Sequence, residues 1–99
     1  MRLAENQKIQ IRNAVFEVVG SNAEIRLFGS RVDDTAKGGD IDLLVTLQDP
    51  IEQSAYTAAK IAAKIMMKLN EQKIDVIIEA PNLSKLPIHD VARQSGVMI

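Results

Sequence analysis

Residues 39–45 read Gly-Asp-Ile-Asp-Leu-Leu-Val and follow a shorter motif, Gly-Ser-Arg, at residues 29–31. From residue 40 to residue 47, alternate positions are apolar, which predicts a β-strand. Side chains two positions apart lie on the same face of a strand, so Asp40 and Asp42 are predicted to share a face at its start. Two residues of strand span about 6–7 Å, and carboxylates at that spacing can converge on one or two divalent cations.

The Gly-Ser-Arg motif follows an apolar run that ends at Phe28. Glycine lets the backbone approach a ligand closely, serine adds a hydroxyl, and arginine adds a charge-assisted contact. A strand that leads directly into Gly29 and Ser30 is therefore a plausible phosphate-binding turn. Gly-Ser alone is a weak signal, but it is much stronger when Asp-x-Asp follows within an apolar strand.

Asp75 lies near the start of another predicted strand, at residues 73–79, that is otherwise nearly all apolar. An unpaired buried carboxylate is costly, so one interpretation is that Asp75 pairs with a lysine or lies at a solvated strand end. The other interpretation is that this strand neighbours the one that carries Asp40 and Asp42, in register, so that three carboxylates form a cluster. The existing acidic pair favours the cluster, which would lie at one end of the sheet, where open α/β sheets place ligands.

Hydrophobic periodicity predicts the remaining elements. We expect helices at residues 5–19, 51–70 and 87–95, and strands at residues 23–28, 40–47, 73–79 and 97–99. These elements predict an α/β (α+β) fold with a small mixed sheet of three to four strands and helices packed mainly on one face. The alanine-rich stripe of the second helix is expected to lie close to the sheet, with Met66 and Met67 filling space in or near the core.

Composition excludes several classes of protein. A length of 99 residues predicts a single domain at residues 1–99. The absence of cysteine excludes disulfides, thiolate zinc sites and cysteine nucleophiles, and fits a cytoplasmic protein. A net charge of −1 and an aromatic content of 3% argue against a nucleic-acid partner. No apolar run approaches the roughly 18 residues of a membrane span, so we expect no membrane partner.

The run GSRVDDTAKGGDIDLLV at residues 29–45 resembles the signature of the DNA polymerase beta-like nucleotidyltransferases. The small size of the chain resembles their minimal nucleotidyltransferase (MNT) branch. The order of helix, strand, strand, helix and strand extends the resemblance over most of the chain. Members of that branch are commonly encoded beside a small all-helical partner, and many are antitoxins to it.

The resemblance implies a Mg²⁺-dependent enzyme that binds ATP or another nucleoside triphosphate. Two Mg²⁺ ions, or Mn²⁺ in their place, would be held by carboxylates, and Asp75 would also receive the proton of the attacking hydroxyl. The implied nucleotide-binding residues are Gly29, Ser30, Arg31 and Gly39. The implied catalytic and metal-binding residues are Asp40, Asp42 and Asp75.

The implied reaction moves a nucleoside monophosphate, most simply AMP from ATP, onto a hydroxyl of a helical, toxin-like partner protein. Only residues 80–99 remain after the third predicted strand, too few for the helical domain with which larger relatives hold the base and the acceptor. The base and acceptor pockets must then be shallow, or be shared with another chain, either a partner protein or a second copy in a homodimer. The alternative is a non-catalytic binding module of the same fold that neutralises a partner by contact. Asp33 and Asp34, where many relatives have a basic residue, favour this alternative.

Two further polar residues receive other assignments. His89 is the only histidine, and near the start of the last helix it is predicted to be a surface or capping residue rather than a ligand. Glu79 shares the predicted face of Asp75 but lies four residues further along the strand, too far to join a metal site.

Overall fold

The chain forms a four-stranded sheet with three helices, in a computed structural model that describes residues 3–29, 40–70 and 73–99. The elements are, in chain order, α1 (Glu5–Val19), β1 (Glu24–Phe28), β2 (Ile41–Thr46), α2 (Ser54–Leu69), β3 (Ile74–Glu79), α3 (Pro87–Ser95) and β4 (Val97–Met98). The predicted fold class and the order of elements are confirmed. Within the described ranges, no helix combines the length and the apolar character that crossing a membrane requires.

Most predicted boundaries agree with the structure to within one residue, and two of the differences matter here. Asp40 precedes β2 rather than opening it, and α2 begins at Ser54 rather than at Ile51. The second difference has a local cause, because the side chain of Asn82 holds Ile51 outside the helix. The Ile51 backbone N–H donates to Asn82 Oδ1 at 3.0 Å, and Asn82 Nδ2 donates to the Ile51 carbonyl at 2.7 Å.

The strand order in the sheet is β3-β2-β1-β4. β1 runs antiparallel to both β2 and β4, whereas β2 and β3 are parallel. Parallel strands need a crossover, and α2 supplies it. The amino end of β2 therefore lies between the carboxyl end of β1 on one side and the amino end of β3 on the other.

One face of the sheet is covered by α1 and α2 and holds the main core. Its fully buried members come from both helices and from the two central strands: Ile11, Val15, Leu27, Ile41, Leu43, Val45, Ile61 and Ile65. α2 contributes isoleucines to this core, whereas Ala55 and Ala59 of the predicted alanine stripe are exposed. Met66 packs against the core as predicted, but the prediction for Met67 is wrong because this residue is 84% exposed.

The opposite face carries the short helix α3 over a smaller cluster, which consists of Phe28, Leu44 and Ala92 with Ile77 packed against them. His89 is buried beneath the first turn of α3, and its Nδ1 accepts a hydrogen bond from the Leu86 backbone N–H at 2.9 Å. The predicted capping role of His89 is thus confirmed, whereas a surface position is wrong.

Candidate functional site

Asp42 and Asp75 are direct neighbours across the parallel strands β2 and β3. Each is the second residue of its strand, and residues paired in register project to the same face of a sheet. Further along that face lie Leu44 and Ile77, which pack beneath α3. The two carboxylates therefore stand at the rim of the small apolar cluster, with Asp42 partly buried and Asp75 exposed.

The electrostatics of this pair set Asp42 apart. Burial raises the pKa of the Asp42 carboxyl, and the negative charge of Asp75, hydrogen bonding between these two carboxyl groups, and the charge of Asp40 raise it further. Each of these effects disfavours the ionised form. A cation placed between the carboxylates would remove the repulsion.

Gly29 brings the end of β1 against the carboxylate of Asp42. Its φ of +78° is in the left-handed region that favours glycine, and a Cβ at this position would collide with Asp42 Oδ2. Phe28, directly before it, pairs in register with Asp42 and is buried beneath α3. The sequence predicts no role for Phe28 at the site, although alternation with Leu27 places Phe28 on the carboxylate face.

Several predicted site residues lie outside the described residues. They are Ser30, Arg31 and Gly39, together with the acidic pair Asp33 and Asp34. The structure thus brings together Gly29, Asp42 and Asp75, with Asp40 close enough to act on Asp42 through its charge.

Carboxylate oxygens are the ligands that Mg²⁺ selects, so the donor chemistry of Asp40, Asp42 and Asp75 fits this ion. Among the described residues, however, no three His, Cys, Asp or Glu side chains are arranged as a ready-made metal site. The strand register nevertheless fixes Asp42 beside Asp75, and repulsion between their carboxylates opposes convergence of the two groups unless a cation lies between them.

Comparison with known proteins identifies the family. A family model described as "Nucleotidyltransferase domain" matches residues 8–95. The chain belongs to the nucleotidyltransferase domain family. The resemblance drawn from the Gly-Ser and Asp-x-Asp motifs is therefore confirmed. A search of curated proteins finds no match.

A solved structure has the same fold as this nucleotidyltransferase domain. It is the structure of a tri-AMPylated Shewanella oneidensis HEPN toxin in complex with MNT antitoxin. The similarity covers 95% of this chain with a TM-score of 0.57 and 20% sequence identity, and it spans 66% of the length of the matched chain.

The carboxylates of the nucleotidyltransferase domain lie at the amino ends of β2 and β3, not at the carboxyl ends where open parallel sheets place ligands. The expectation from parallel sheets is wrong here because β1 is antiparallel to β2. The carboxyl end of β1, with Gly29, consequently meets the amino ends of β2 and β3. One end of the sheet thus combines the backbone of Gly29 with the carboxylates of Asp42 and Asp75.

A separate polar network lies on the same sheet face at the carboxyl ends of β2 and β3. Glu79 accepts hydrogen bonds from Thr46 Oγ1 at 3.0 Å and from Arg93 Nε at 3.1 Å. The bonds from Arg93, followed by the one from Thr46, hold the pKa of Glu79 below its usual value, against an opposing effect of burial. Glu79 therefore anchors α3 to the sheet and stays apart from the aspartates, as predicted.

One cavity in the described part of the domain lies away from the aspartates. Its volume is about 380 Å³, and it is lined by residues 18–23, residues 47–51 and Thr57. These segments connect α1 to β1 and β2 to α2, so the cavity lies at the end of β2 away from Asp42. We base the functional site on the aspartates and Gly29, because that cavity has no cluster of groups suited to phosphate chemistry.

Proposed function

We propose that this chain is a Mg²⁺-dependent nucleotidyltransferase that moves a nucleoside monophosphate, AMP from ATP in the first instance, onto a hydroxyl of a helical partner protein. The observation that carries the proposal is the register of Asp42 with Asp75, with the backbone of Gly29 against the Asp42 carboxylate. A carboxylate pair beside a glycine turn suits a triphosphate and its metal ions better than it suits a neutral ligand.

In the proposed reaction, the acceptor oxygen attacks the α-phosphorus in line with the leaving group, and a new phosphorus–oxygen bond forms. The bond from the α-phosphorus to the bridging oxygen breaks, and pyrophosphate leaves with the electron pair. The hydroxyl proton passes to the carboxylate of Asp75. Mg²⁺ held by Asp40, Asp42 and Asp75 would neutralise phosphate charge and lower the pKa of the acceptor hydroxyl. Ser30 and Arg31 would bind the triphosphate.

The structural neighbour supports the choice of acceptor. It is an MNT antitoxin in complex with a HEPN toxin, and that toxin is AMPylated. By analogy, we propose that the present chain is the antitoxin of a toxin–antitoxin pair and acts in the cytoplasm. The side chain of Asp75 is exposed, which leaves room for an acceptor side chain delivered by another protein.

The test is a transfer assay with the product of the neighbouring gene as the candidate partner. ATP labelled at the α-phosphate should label the partner in the presence of Mg²⁺, and the double variant Asp40→Asn, Asp42→Asn should give no label. Asp75→Asn should still bind Mg²⁺ and ATP but should fail to transfer, because a proton acceptor acts in the transition state rather than in binding. Transfer by Asp75→Asn at the wild-type rate would remove Asp75 from the mechanism.

The phosphate contacts have a separate test. Ser30→Ala and Arg31→Ala should weaken nucleotide binding and leave the unfolding transition unchanged. If Arg31→Ala instead unfolds the protein while the folded fraction keeps its affinity for nucleotide, Arg31 has a structural role.

A second candidate function is the non-catalytic binding module. It is favoured by the observation that no three acidic or histidine side chains among the described residues form a metal site. In that case the wild type binds and neutralises the partner but transfers no label from any nucleoside triphosphate.

A further inference from the structure

A row of apolar side chains runs along the outward face of α2, beside the exposed Lys60. Tyr56 is 64% exposed and Met67 is 84% exposed, and the exposed residues Ala59 and Ala63 lie between them. Spacings of three, four and four residues place these side chains on one side of a helix. We call these four residues the α2 crest, which is about 16 Å long at 1.5 Å per residue.

Among the described residues, nothing packs on the α2 crest. α2 packs on the sheet through Ile61 and Ile65, on its other side. A helix with one buried face normally presents charged and polar side chains on the opposite face, and Met67 is the most exposed of the large apolar side chains described. Contiguous exposed apolar side chains mark interaction sites more often than scattered ones do.

The charge around the crest restricts what can cover it. α1 and α2 together contain five basic and two acidic residues, a net charge of +3, although the whole chain has a net charge of −1. Both acidic residues are already in ion pairs, Glu5 with Lys8 at 3.2 Å and Glu17 with Lys64 and Lys68 at 3.2 and 3.4 Å. The charge complement of this helical layer is acidic.

We propose that the α2 crest docks a helix of a partner protein that has an apolar stripe flanked by acidic residues. Tyr56 and Met67 are the anchors at the two ends, and the small side chains of Ala59 and Ala63 allow a second helix to approach closely between them. Lys60 lies beside the crest, on the same side of α2 as Lys64, where it would meet the acidic residues of the partner helix.

Other occupants fit less well. A second copy of this chain would bring one row of α2 lysines against another, and like charges at an interface cost affinity. A nucleic acid would use the lysines but would leave Tyr56, Met67 and the alanines against phosphate and sugar, where an apolar contact gains little. Docking at the crest is independent of the proposed catalysis, because α2 covers the sheet face opposite to the one that carries Asp42 and Asp75.

The experiment uses the full chain and two synthetic helical peptides of about 20 residues, long enough to form helix in water. Both peptides have one stripe of leucines, which is flanked by glutamates in the first and by lysines in the second. Binding is measured by fluorescence anisotropy, and the contact surface is mapped by amide chemical shifts. A single-stranded RNA of similar length is the third probe.

The glutamate peptide should bind at least about tenfold more tightly than the lysine peptide and should shift the amides of residues 56–67. Met67→Ser and Lys60→Glu should each weaken this binding several-fold, whereas Met98→Ser, an exposed methionine on β4, should not. Equal affinity for both peptides, shifts confined to other elements, or unchanged binding by Met67→Ser would each overturn the proposal. RNA binding that depends on Lys60 but not on Met67 would reassign the surface to a nucleic acid.

Discussion

The carboxylate of Asp42 occupies the space that a side chain at residue 29 would need. Because Gly29 also has a positive φ, two separate constraints require glycine there. Gly20 shares only one of them, since its φ is +91° but an added Cβ would meet nothing within 4 Å. A comparison of substitutions at the two glycines therefore separates the cost of backbone strain from the cost of a side chain against Asp42.

Gly29→Ala should destabilise the fold more than Gly20→Ala. Positive φ costs each variant about 1–3 kcal/mol of unfolding free energy, and displacement of the Asp42 carboxylate from its rotamer adds about 0.5–1.5 kcal/mol at residue 29 only. Urea unfolding of both variants measures the difference. A Gly29→Ala variant no less stable than Gly20→Ala would show that Asp42 moves away without cost, and the close approach would then have no structural weight.

Neutralising one carboxylate of the pair should stabilise the metal-free protein. The pKa of Asp42 is raised by burial and by Asp75, so ionised Asp42 opposes folding at neutral pH. Asp42→Asn should raise the free energy of unfolding by about 0.2–1 kcal/mol, the range for like charges in a cross-strand pair. It should also reduce the gain in melting temperature that Mg²⁺ and ATP give the wild type by mass action.

The control is Asp49→Asn, an exposed aspartate in the connection between β2 and α2. It should leave both quantities unchanged. If the double variant Asp40→Asn, Asp42→Asn keeps the full thermal response to Mg²⁺ and ATP, the metal and nucleotide bind elsewhere.

The anchor of α3 should make stability fall in acid. The pKa of Glu79 is lowered, chiefly by Arg93, so the ionised form is favoured in the folded protein. For a lowered pKa, the stabilisation is fully present above the unfolded value, for which the ordinary Glu value of 4.5 serves, and it is lost as the pH falls through the folded value. The free energy of unfolding should thus decline below about pH 4.5, and Glu79→Gln should flatten this part of the profile.

Arg93→Ala should cost about 1 kcal/mol at pH 7, because it removes hydrogen bonds to a charged group. Lys85→Ala breaks an ion pair with Asp90 in which both side chains are more than half exposed, and it should change stability by less than about 0.5 kcal/mol. Equal effects of the two substitutions would mean that Glu79 does not anchor the helix.

Adjacent methionines on α2 should respond differently to truncation. Met66→Ala should lower the free energy of unfolding by about 1–2 kcal/mol, below the range for fully buried methionine because Met66 is only partly buried. Met67→Ala should have almost no effect on stability, since the side chain is 84% exposed. Thermal unfolding measures both, and a large loss for Met67→Ala would contradict the orientation of α2.

The pairing of Asp42 with Asp75 could be predicted from the sequence because alternation fixes the face of each residue and the helix between the strands permits a parallel crossover. The position of Asp40 could not be predicted, because alternation continues past the last residue that forms ladder hydrogen bonds. The sequence also missed the burial of His89. An isolated histidine gives no periodic signal, and its hydrogen bond to the Leu86 N–H depends on how α3 meets the sheet.

The packing side of α2 shows a different limit. The predicted stripe combined Ile65 with alanines such as Ala59 and Ala62, because both residue types follow helical spacing; Ile65 and Ala62 do pack in or against the core. In the structure, Ile61 and Ile65 are buried, whereas Ala59 and Ala63 are exposed. The helix buries the face that carries the isoleucines because an isoleucine removes far more apolar surface from water than an alanine does.

The crossover through α2 also sets when the site comes into existence. Asp42 and Asp75 are 33 positions apart along the chain and meet only after β3 has paired with β2. Contacts between such distant positions form late, because loop closure must come first. During synthesis, a chain released only as far as α2 has the glycine turn and the first aspartates but lacks the carboxylate that completes the pair. Chains that end before β3 therefore lack any activity that needs both carboxylates. Such an activity would be a direct measure of completed folding.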